Sequence, residues 1–252
     1  MGALLRGGGR LIERWSPGQG IERVLVVSAH PDDVDFGAAG TVAAWTEAGI
    51  EIAYCIVTDG GAGGDDPMVT RAEMAATRQD EQRAAAAEVG VREVTFLGYP
   101  DGRVEPTTAL RRDLTRVVRA FRPQIVFAPS PDRWWDRIFA SHPDHLAVGE
   151  AATCAVYPDA RNRFAHPELL EEGFEPHTVG ELWLMASPET NVAVEITSTF
   201  DRKIAALLRH RSQITEPDAV TTRMRTGAGE AAASAGMPHG ALAEIFRRVS
   251  TG

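Results

Sequence analysis

The chain has 252 residues, of which 44% are hydrophobic and 24% charged, and its formal net charge is −9. This length suits one large α/β domain with a complete core. The negative charge excludes a general nucleic-acid binder, because such proteins need a basic excess to neutralise phosphates. No apolar run approaches the roughly 20 residues that span a bilayer, and residues 1–17 lack the apolar segment of a secretory signal. We therefore expect a cytoplasmic protein without a membrane span.

Short apolar runs alternate with longer amphipathic stretches along the chain, which is typical of βαβ units. Strands are predicted at 24–27, 52–57, 94–97, 125–128, 182–185 and 192–196. Helices are predicted at 38–47, 71–89, 108–119, 145–156, 200–211 and 242–249. The pattern predicts a Rossmann-like three-layer α/β/α sandwich with a mainly parallel sheet, which forms one domain over residues 1–252.

Four segments fall outside this pattern. Residues 1–20 form a predicted N-terminal extension, and residues 60–69 and 129–141 form long loops. Ordered domains seldom keep loops of this length without a functional use. Residues 215–238 are polar and rich in Gly and Ala, and we interpret them as a mobile flap.

The first candidate site follows the first predicted strand directly. Ala29-His30-Pro31-Asp32-Asp33 comes after the apolar run 24–27. This position is the carboxyl end of a parallel strand, where open α/β sheets bind ligands. His30 and Asp33 lie three residues apart on a tight turn, so they can bind one ion together.

A second cluster, Ser141-His142-Pro143-Asp144-His145, follows the fourth strand and its long loop and opens a helix. It therefore projects from the same edge of the sheet. A catalytic zinc site takes three protein ligands, typically His and carboxylate, and leaves one position for water. We predict that His30, Asp33 and His145 hold a divalent metal. Zinc is expected, and a site of nitrogen and oxygen ligands also accepts Fe²⁺.

Asp32 and His142 are the predicted catalytic residues. Alternation points Asp32 away from Asp33, which suits a general base for a metal-activated water. His142 lies three residues before His145, and when protonated it can stabilise an oxyanion and then protonate the leaving amine. The predicted reaction is metal-dependent hydrolysis of an amide.

Other interpretations of these motifs are weaker. A single His-Pro-Asp tripeptide is typical of a turn in which Asp caps a helix. Two such tripeptides after buried strands favour a metal site instead. A nucleotide-binding or dehydrogenase module is disfavoured, because the first strand is not followed by the glycines that such a module needs.

The two motifs resemble those of the LmbE/PIG-L-type N-deacetylases, over about residues 24–249. Further similarity lies at 58–61, 78–81, 97–102, 203 and 210–213. The resemblance implies a zinc enzyme that removes the acetyl group from an N-acetylglucosaminyl conjugate, a small-molecule substrate. It implies the same roles for His30, Asp33 and His145 as metal ligands, and for Asp32 and His142 in catalysis. Members often assemble, so a homo-oligomer is also expected.

Two positions depart from the family pattern. The first motif usually continues with glutamate, where this chain has Val34 and then Asp35. Some members carry a tyrosine two residues before the second motif, where this chain has Ala140. Two alternatives therefore stay open: an amidase of a thiol conjugate or of a longer acyl amide, and a non-catalytic sugar-binding relative.

Arg78, Asp101 and His210 are predicted to contact the substrate. Each also has a simpler interpretation from its local sequence. Arg78 suits an exposed ion pair on an amphipathic helix, and Asp101 suits the turn Pro-Asp-Gly. His210 ends a predicted helix, where a cation is favoured by the helix dipole.

Overall fold

The computed structural model describes residues 12–16, 18 and 20–252. Its strands form one eight-stranded sheet in the order β1-β7-β8-β6-β5-β2-β3-β4. The strands are Glu13–Arg14 (β1), Arg23–Ser28 (β2), Glu51–Thr58 (β3), Glu93–Tyr99 (β4), Ile125–Pro129 (β5), Glu181–Met185 (β6), Val192–Glu195 (β7) and Ala243–Ser250 (β8). The helices are Asp33–Gly37 (α1), Ala39–Glu47 (α2), Arg71–Glu88 (α3), Thr108–Phe121 (α4), Pro143–Cys154 (α5), Pro167–Glu171 (α6), Phe200–Leu207 (α7) and Pro217–Ser234 (α8).

The sheet is parallel except at β8, which runs antiparallel to both β6 and β7. The expected mainly parallel sheet is therefore confirmed, but the predicted helix at 242–249 is wrong. That segment is rich in the helix formers Ala, Leu, Glu and Arg. Its backbone instead lies between β6 and β7 and completes the hydrogen bonds of both, which outweighs local propensity.

Helices cover both faces of the sheet. Along β2, Val24 and Val26 pack in one apolar cluster with α2 and α3, whereas Leu25 and Val27 pack in a second cluster with α4 and α5. Successive side chains of a strand point to opposite faces. A strand buried on both faces is therefore apolar at successive positions, which explains the unbroken apolar run 24–27 that predicted it.

The order of the strands brings the two sequence motifs together. β2 lies between β3 and β5 and is parallel to both, so the carboxyl ends of these strands share one edge of the sheet. The first motif follows β2, and the second follows β5 after residues 130–141, which include a short 3₁₀ segment, Trp135–Ser141. We call this edge the site edge.

Two segments that were predicted to be irregular contain regular secondary structure, and the proposed mobility of residues 215–238 stays a prediction. Most of the proposed flap, 215–238, is helix α8, which packs on β8 and buries Val220 and Ala232. Alanine is a strong helix former, and the small buried residues Ala228, Ala231 and Ala232 let the helix approach the sheet closely. In the predicted N-terminal extension, residues 1–11, 17 and 19 lie outside the described residues, but Glu13–Arg14 joins the sheet beside β7.

Within the described part of the chain, no helix combines the length and the apolar character needed to cross a bilayer.

Candidate metal centre and active site

The first motif turns sharply where β2 ends. Asp32 has φ +96° and ψ −27°, a positive-φ conformation that residues other than Gly seldom adopt, although Asn and Asp do so more often than the rest. The backbone N–H of His30 donates to Asp33 Oδ2 at 2.8 Å. This turn directs His30, Asp32 and Asp33 toward the site edge, as predicted from their place after the strand.

Three predicted metal ligands converge on one point. His30 Nδ1 lies 3.2 Å from His145 Nε2, and His145 Nε2 lies 3.0 Å from Asp33 Oδ1. His30 Nδ1 also lies 3.5 Å from Asp33 Oδ2. Donor atoms that bind one zinc ion tetrahedrally are about 3.3 Å apart, given metal–ligand bonds of about 2.0 Å. The spacing of His30, Asp33 and His145 therefore fits a single small cation, and we call these residues the metal trio.

The outer nitrogens of the two imidazoles are held by other groups. His30 Nε2 lies 3.1 Å from Asp144 Oδ2 and 3.2 Å from Asp101 Oδ1. His145 Nδ1 lies 3.3 Å from the carbonyl oxygen of Ala140. These acceptors favour the tautomers with protons on the outer nitrogens, so the inner nitrogens present lone pairs to each other. One cation bridges these two nitrogens at 3.2 Å, a proton shared in a hydrogen bond or a metal ion that both nitrogens bind.

Carboxylates around His30 favour positive charge. Burial alone would lower the pKa of His30, but hydrogen bonds to Asp101, Asp144 and Asp33 outweigh it and raise this pKa to about 12. Burial would raise the pKa of Asp33, but the contacts with His145 and His30 hold it well below its usual range. Because the same carboxylates that retain a proton would also attract a metal ion, the electrostatics agree with the geometry.

Asp32 has a different environment from Asp33. Burial and the adjacent charge of Asp33 raise the pKa of Asp32 to about 7, although the Arg78 guanidinium, 3.4 Å away, opposes the shift. A carboxyl group that titrates near neutral pH can both accept and return a proton. The predicted general base therefore has a suitable pKa.

His142 caps the N-terminus of α5, and its Nδ1 accepts a hydrogen bond from the backbone N–H of Asp144 at 3.2 Å. Its ring centroid lies 4.9 Å from that of His30. Burial and the nearby His30 lower the pKa of His142. The structure therefore favours a neutral ring over the protonated ring expected from the sequence. Since Nδ1 accepts, the neutral ring carries its proton on Nε2 and can still donate to an oxyanion.

The three predicted substrate contacts are buried against protein groups. Arg78 donates from Nη1 to the Gly60 carbonyl at 3.1 Å and from Nη2 to the Pro31 carbonyl at 2.7 Å. Asp101 accepts from the Ala62 N–H at 3.0 Å and contacts His30. Arg78 and Asp101 therefore lie at the site. The contacts described here are with backbone groups and with His30, so they hold parts of the site in place.

His210 does not fit a substrate contact. The predicted helix 200–211 ends at Leu207, and the His210 side chain beyond it is fully buried. Its Nε2 lies 2.8 Å from Asp35 Oδ2. Because the side chain has no exposed surface, this structure gives no support to a direct substrate contact by His210, and that role stays a prediction.

Three residues of the site were missed from the sequence. Asp144 accepts from the backbone N–H groups of Gly102 and Val104 at 2.7 and 3.1 Å, and so orients its other partner, His30. Its place between His142 and His145 was a usable signal. Gln82 and Asp35 hydrogen-bond to each other across 47 residues and belong to no recognised motif.

Comparison with known proteins agrees with this geometry. The family model for GlcNAc-PI de-N-acetylase (PIG-L) matches residues 25–156. The chain is 30% identical to diacetylchitobiose deacetylase from Thermococcus kodakarensis, over 79% of this chain and 73% of that protein. It is also 30% identical to a Bacillus anthracis protein named "Probable N-acetyl-alpha-D-glucosaminyl L-malate deacetylase 2", over 75% of this chain and 80% of that one.

A solved structure gives the same picture. N,N'-diacetylchitobiose deacetylase from Pyrococcus horikoshii, determined in complex with an inhibitor, has a TM-score of 0.84 to this chain and 29% sequence identity. The match covers 92% of this chain and 85% of that one. The resemblance inferred from the two His-Pro-Asp motifs is thereby confirmed. The chain belongs to the PIG-L family, the GlcNAc-PI de-N-acetylases.

Proposed function

We propose that this protein is a metal-dependent N-deacetylase that releases acetate from an N-acetylated amino-sugar conjugate. The observation that carries the proposal is the convergence of His30, Asp33 and His145 beside Asp32. The names of the relatives support the substrate class, since they refer to diacetylchitobiose and to a glucosaminyl malate. Turnover of a longer acyl amide or of a thiol conjugate has no support from a particular feature of the site.

The metal trio would hold the ion through His30 Nδ1, His145 Nε2 and the Asp33 carboxylate. A divalent metal at this site acidifies water and polarises a carbonyl oxygen. Zinc is the ion expected from the family, and the donor set also suits Fe²⁺. Asp101 and Asp144 hold the His30 ring through Nε2, which keeps Nδ1 directed at the ion.

Asp32 acts as the general base. Its carboxylate accepts a proton from the attacking water as the bond between water oxygen and acyl carbon forms. When the carbon–nitrogen bond breaks, the same group returns the proton to the leaving nitrogen, which its pKa of about 7 permits. His142 Nε2–H donates to the oxygen that gains charge in the tetrahedral intermediate. The products are acetate and a free amine.

Arg78 and Asp101 contribute by holding the site in place, Arg78 at Gly60 and Pro31 and Asp101 at His30. Cytoplasmic location and assembly into a homo-oligomer stay predictions from the sequence.

The proposal is tested with purified protein, metal analysis and an amine-release assay. Substrates are N-acetylglucosamine, diacetylchitobiose and N-acetylglucosaminyl malate. We expect one metal per chain and equimolar release of amine and acetate from at least one substrate. His145→Ala should lose both metal and turnover, whereas the exposed His239→Ala should keep both. Fully metal-loaded wild type that releases no amine from any of these compounds would contradict the proposal.

A further inference from the structure

Two side chains of α3 hold the peptide bond between Pro31 and Asp32 from opposite ends. Arg78 Nη2 donates to the Pro31 carbonyl oxygen at 2.7 Å, and the Asp32 N–H donates to Gln82 Oε1 at 2.8 Å. Arg78 and Gln82 are four residues apart, so they lie on the same face of the helix. Both side chains are buried, Gln82 completely. We call Arg78 and Gln82 the peptide clamp.

The clamp holds a backbone conformation that is unfavourable by itself. Asp32 has a positive φ of 96°, which L-residues avoid because Cβ crowds the backbone. A rotated Pro31–Asp32 peptide would direct its N–H at the Arg78 guanidinium and its carbonyl at Gln82 Oε1. Donor would then meet donor and acceptor would meet acceptor. The clamp therefore specifies one orientation of the peptide and, with it, the direction of the Asp32 side chain.

A second layer orients the clamp itself. Gln82 Nε2 donates to Asp35 Oδ2 at 2.9 Å, and His210 Nε2 lies 2.8 Å from the same oxygen. Asp35 and His210 have no exposed surface. Because Asp35 accepts from the amide nitrogen of Gln82, the amide oxygen must face Asp32. The fully buried His210 thus reaches the site through Asp35 and Gln82.

We propose that Gln82 is a positioning residue for the reaction, which holds the Asp32 carboxylate in register with the metal trio through the peptide clamp. Asp35 and His210 orient Gln82. The inference rests on the proposed function of Asp32 as general base. It assigns to α3, a helix outside both His-Pro-Asp motifs, control over the geometry of the base.

The test replaces Gln82 by Met, which has nearly the same volume but accepts no comparable hydrogen bond. Gln82→Met should lower kcat per bound metal about tenfold, since one buried hydrogen bond is lost, while KM and metal content stay at wild-type values. The control is Gln79→Met, the same change at a half-buried position of α3, which should leave all three quantities unchanged. Gln82→Met that turns over at the wild-type rate per metal would overturn the proposal.

Rescue separates positioning from folding. The double variant Gln82→Glu with Asp35→Asn keeps an acceptor for the Asp32 N–H and reverses the hydrogen bond behind it. It should recover most of the kcat lost in Gln82→Met. If Gln82→Met only lowers the yield of folded protein, and the double variant shows no gain in kcat, Gln82 has a structural role alone and the proposal is wrong.

A readout independent of turnover distinguishes this inference from the proposed function. Hydrogen exchange at the Asp32 amide should be slow in the wild type and in Gln79→Met, and at least tenfold faster in Gln82→Met. Equal exchange in all three proteins would overturn the clamp even in an active enzyme. Wild type without amine release, but with this difference in exchange, would contradict the function and retain the clamp.

Discussion

The two His-Pro-Asp motifs have the same three residue types and opposite electrostatic environments. In the first, burial and the neighbouring Asp33 raise the pKa of Asp32 to about 7. In the second, burial opposes but does not overcome the hydrogen bonds from His30, Gly102 and Val104, and the pKa of Asp144 is lowered. Asp32 is therefore suited to exchange a proton, and Asp144 to stay charged and hold His30.

The histidines of the two motifs also differ, in their burial and in the groups that they contact. His30 is buried and its Nε2 is held by the carboxylates of Asp101 and Asp144, whereas His142 is exposed and caps a helix. The difference arises because the first motif follows its strand without a loop and the second follows a loop of about a dozen residues. Identical tripeptides thus acquire their chemistry from the backbone that carries them.

The strongest test of this contrast removes the charge of Asp32. Asp32→Asn should lower kcat by about 10³-fold, because the general base is lost, while one metal per chain stays bound. Amine release and elemental analysis measure the two quantities. Asp80→Asn, at an exposed ion pair on α3, is the control and should behave as wild type. A kcat within tenfold of wild type would show that the base lies elsewhere.

A buried carboxylate away from the metal trio offers a comparison in which the charge stabilises the fold and does not act on the metal. Glu244 is paired with Lys203 at 2.6 Å and accepts from the Thr41 N–H at 2.7 Å. Lys203→Met leaves this charge without its cation and should destabilise the protein by about 3 kcal/mol, with metal affinity unchanged. Urea denaturation measures the loss. The exposed Arg83→Met should cost less than about 1 kcal/mol, and equal costs for both would contradict this account.

Asp144→Asn tests the second motif. The variant weakens the hold on His30 and should lower metal affinity by about 10- to 100-fold. Competition with a chelator measures the affinity. The control is Asp113→Asn, which removes a carboxylate that accepts from the Tyr99 hydroxyl. If affinity is retained and kcat alone falls, Asp144 acts in proton transfer, and the contrast between the two aspartates breaks down.

The smallest effect is expected at His177, far from both motifs in the sequence. Burial lowers the pKa of His177 below its ordinary 6.5, although its Nε2 donates to the Pro123 carbonyl at 2.7 Å. The unfolded chain therefore binds a proton more readily than the folded one, and the stability contributed by the neutral ring is lost as pH falls below about 6.5. In denaturation curves, His177→Gln should show a slightly smaller acid destabilisation. A larger acid destabilisation of His177→Gln would contradict a lowered pKa of His177 in the folded protein.

Much of the site edge could be predicted from the sequence. Unbroken apolar runs identified β2 and β5, and the position of each motif after its strand predicted that His30, Asp33 and His145 would meet. The structure brings them together, and their role as metal ligands stays a prediction. Such reasoning works because parallel strands place all their carboxyl ends at one edge.

The contacts that hold the site were less predictable. Gln82 and Asp35 are ordinary polar residues in helical sequence, and their meeting depends on how α3 packs against the turn after β2. The error at 242–249 has a related origin, since only the gap between β6 and β7 makes that segment a strand. Local sequence specifies the elements and the motifs, whereas pairing across the fold decides what each polar group contacts.

The proposed mechanism requires two imidazoles and one carboxylate to hold one cation at the site edge. Anomalous diffraction from crystals of the metal-loaded protein tests it most directly. We expect one anomalous peak per chain within bonding distance of His30 Nδ1, His145 Nε2 and the Asp33 carboxylate. A peak bound by other side chains, or none between the two imidazoles of fully loaded protein, would contradict it.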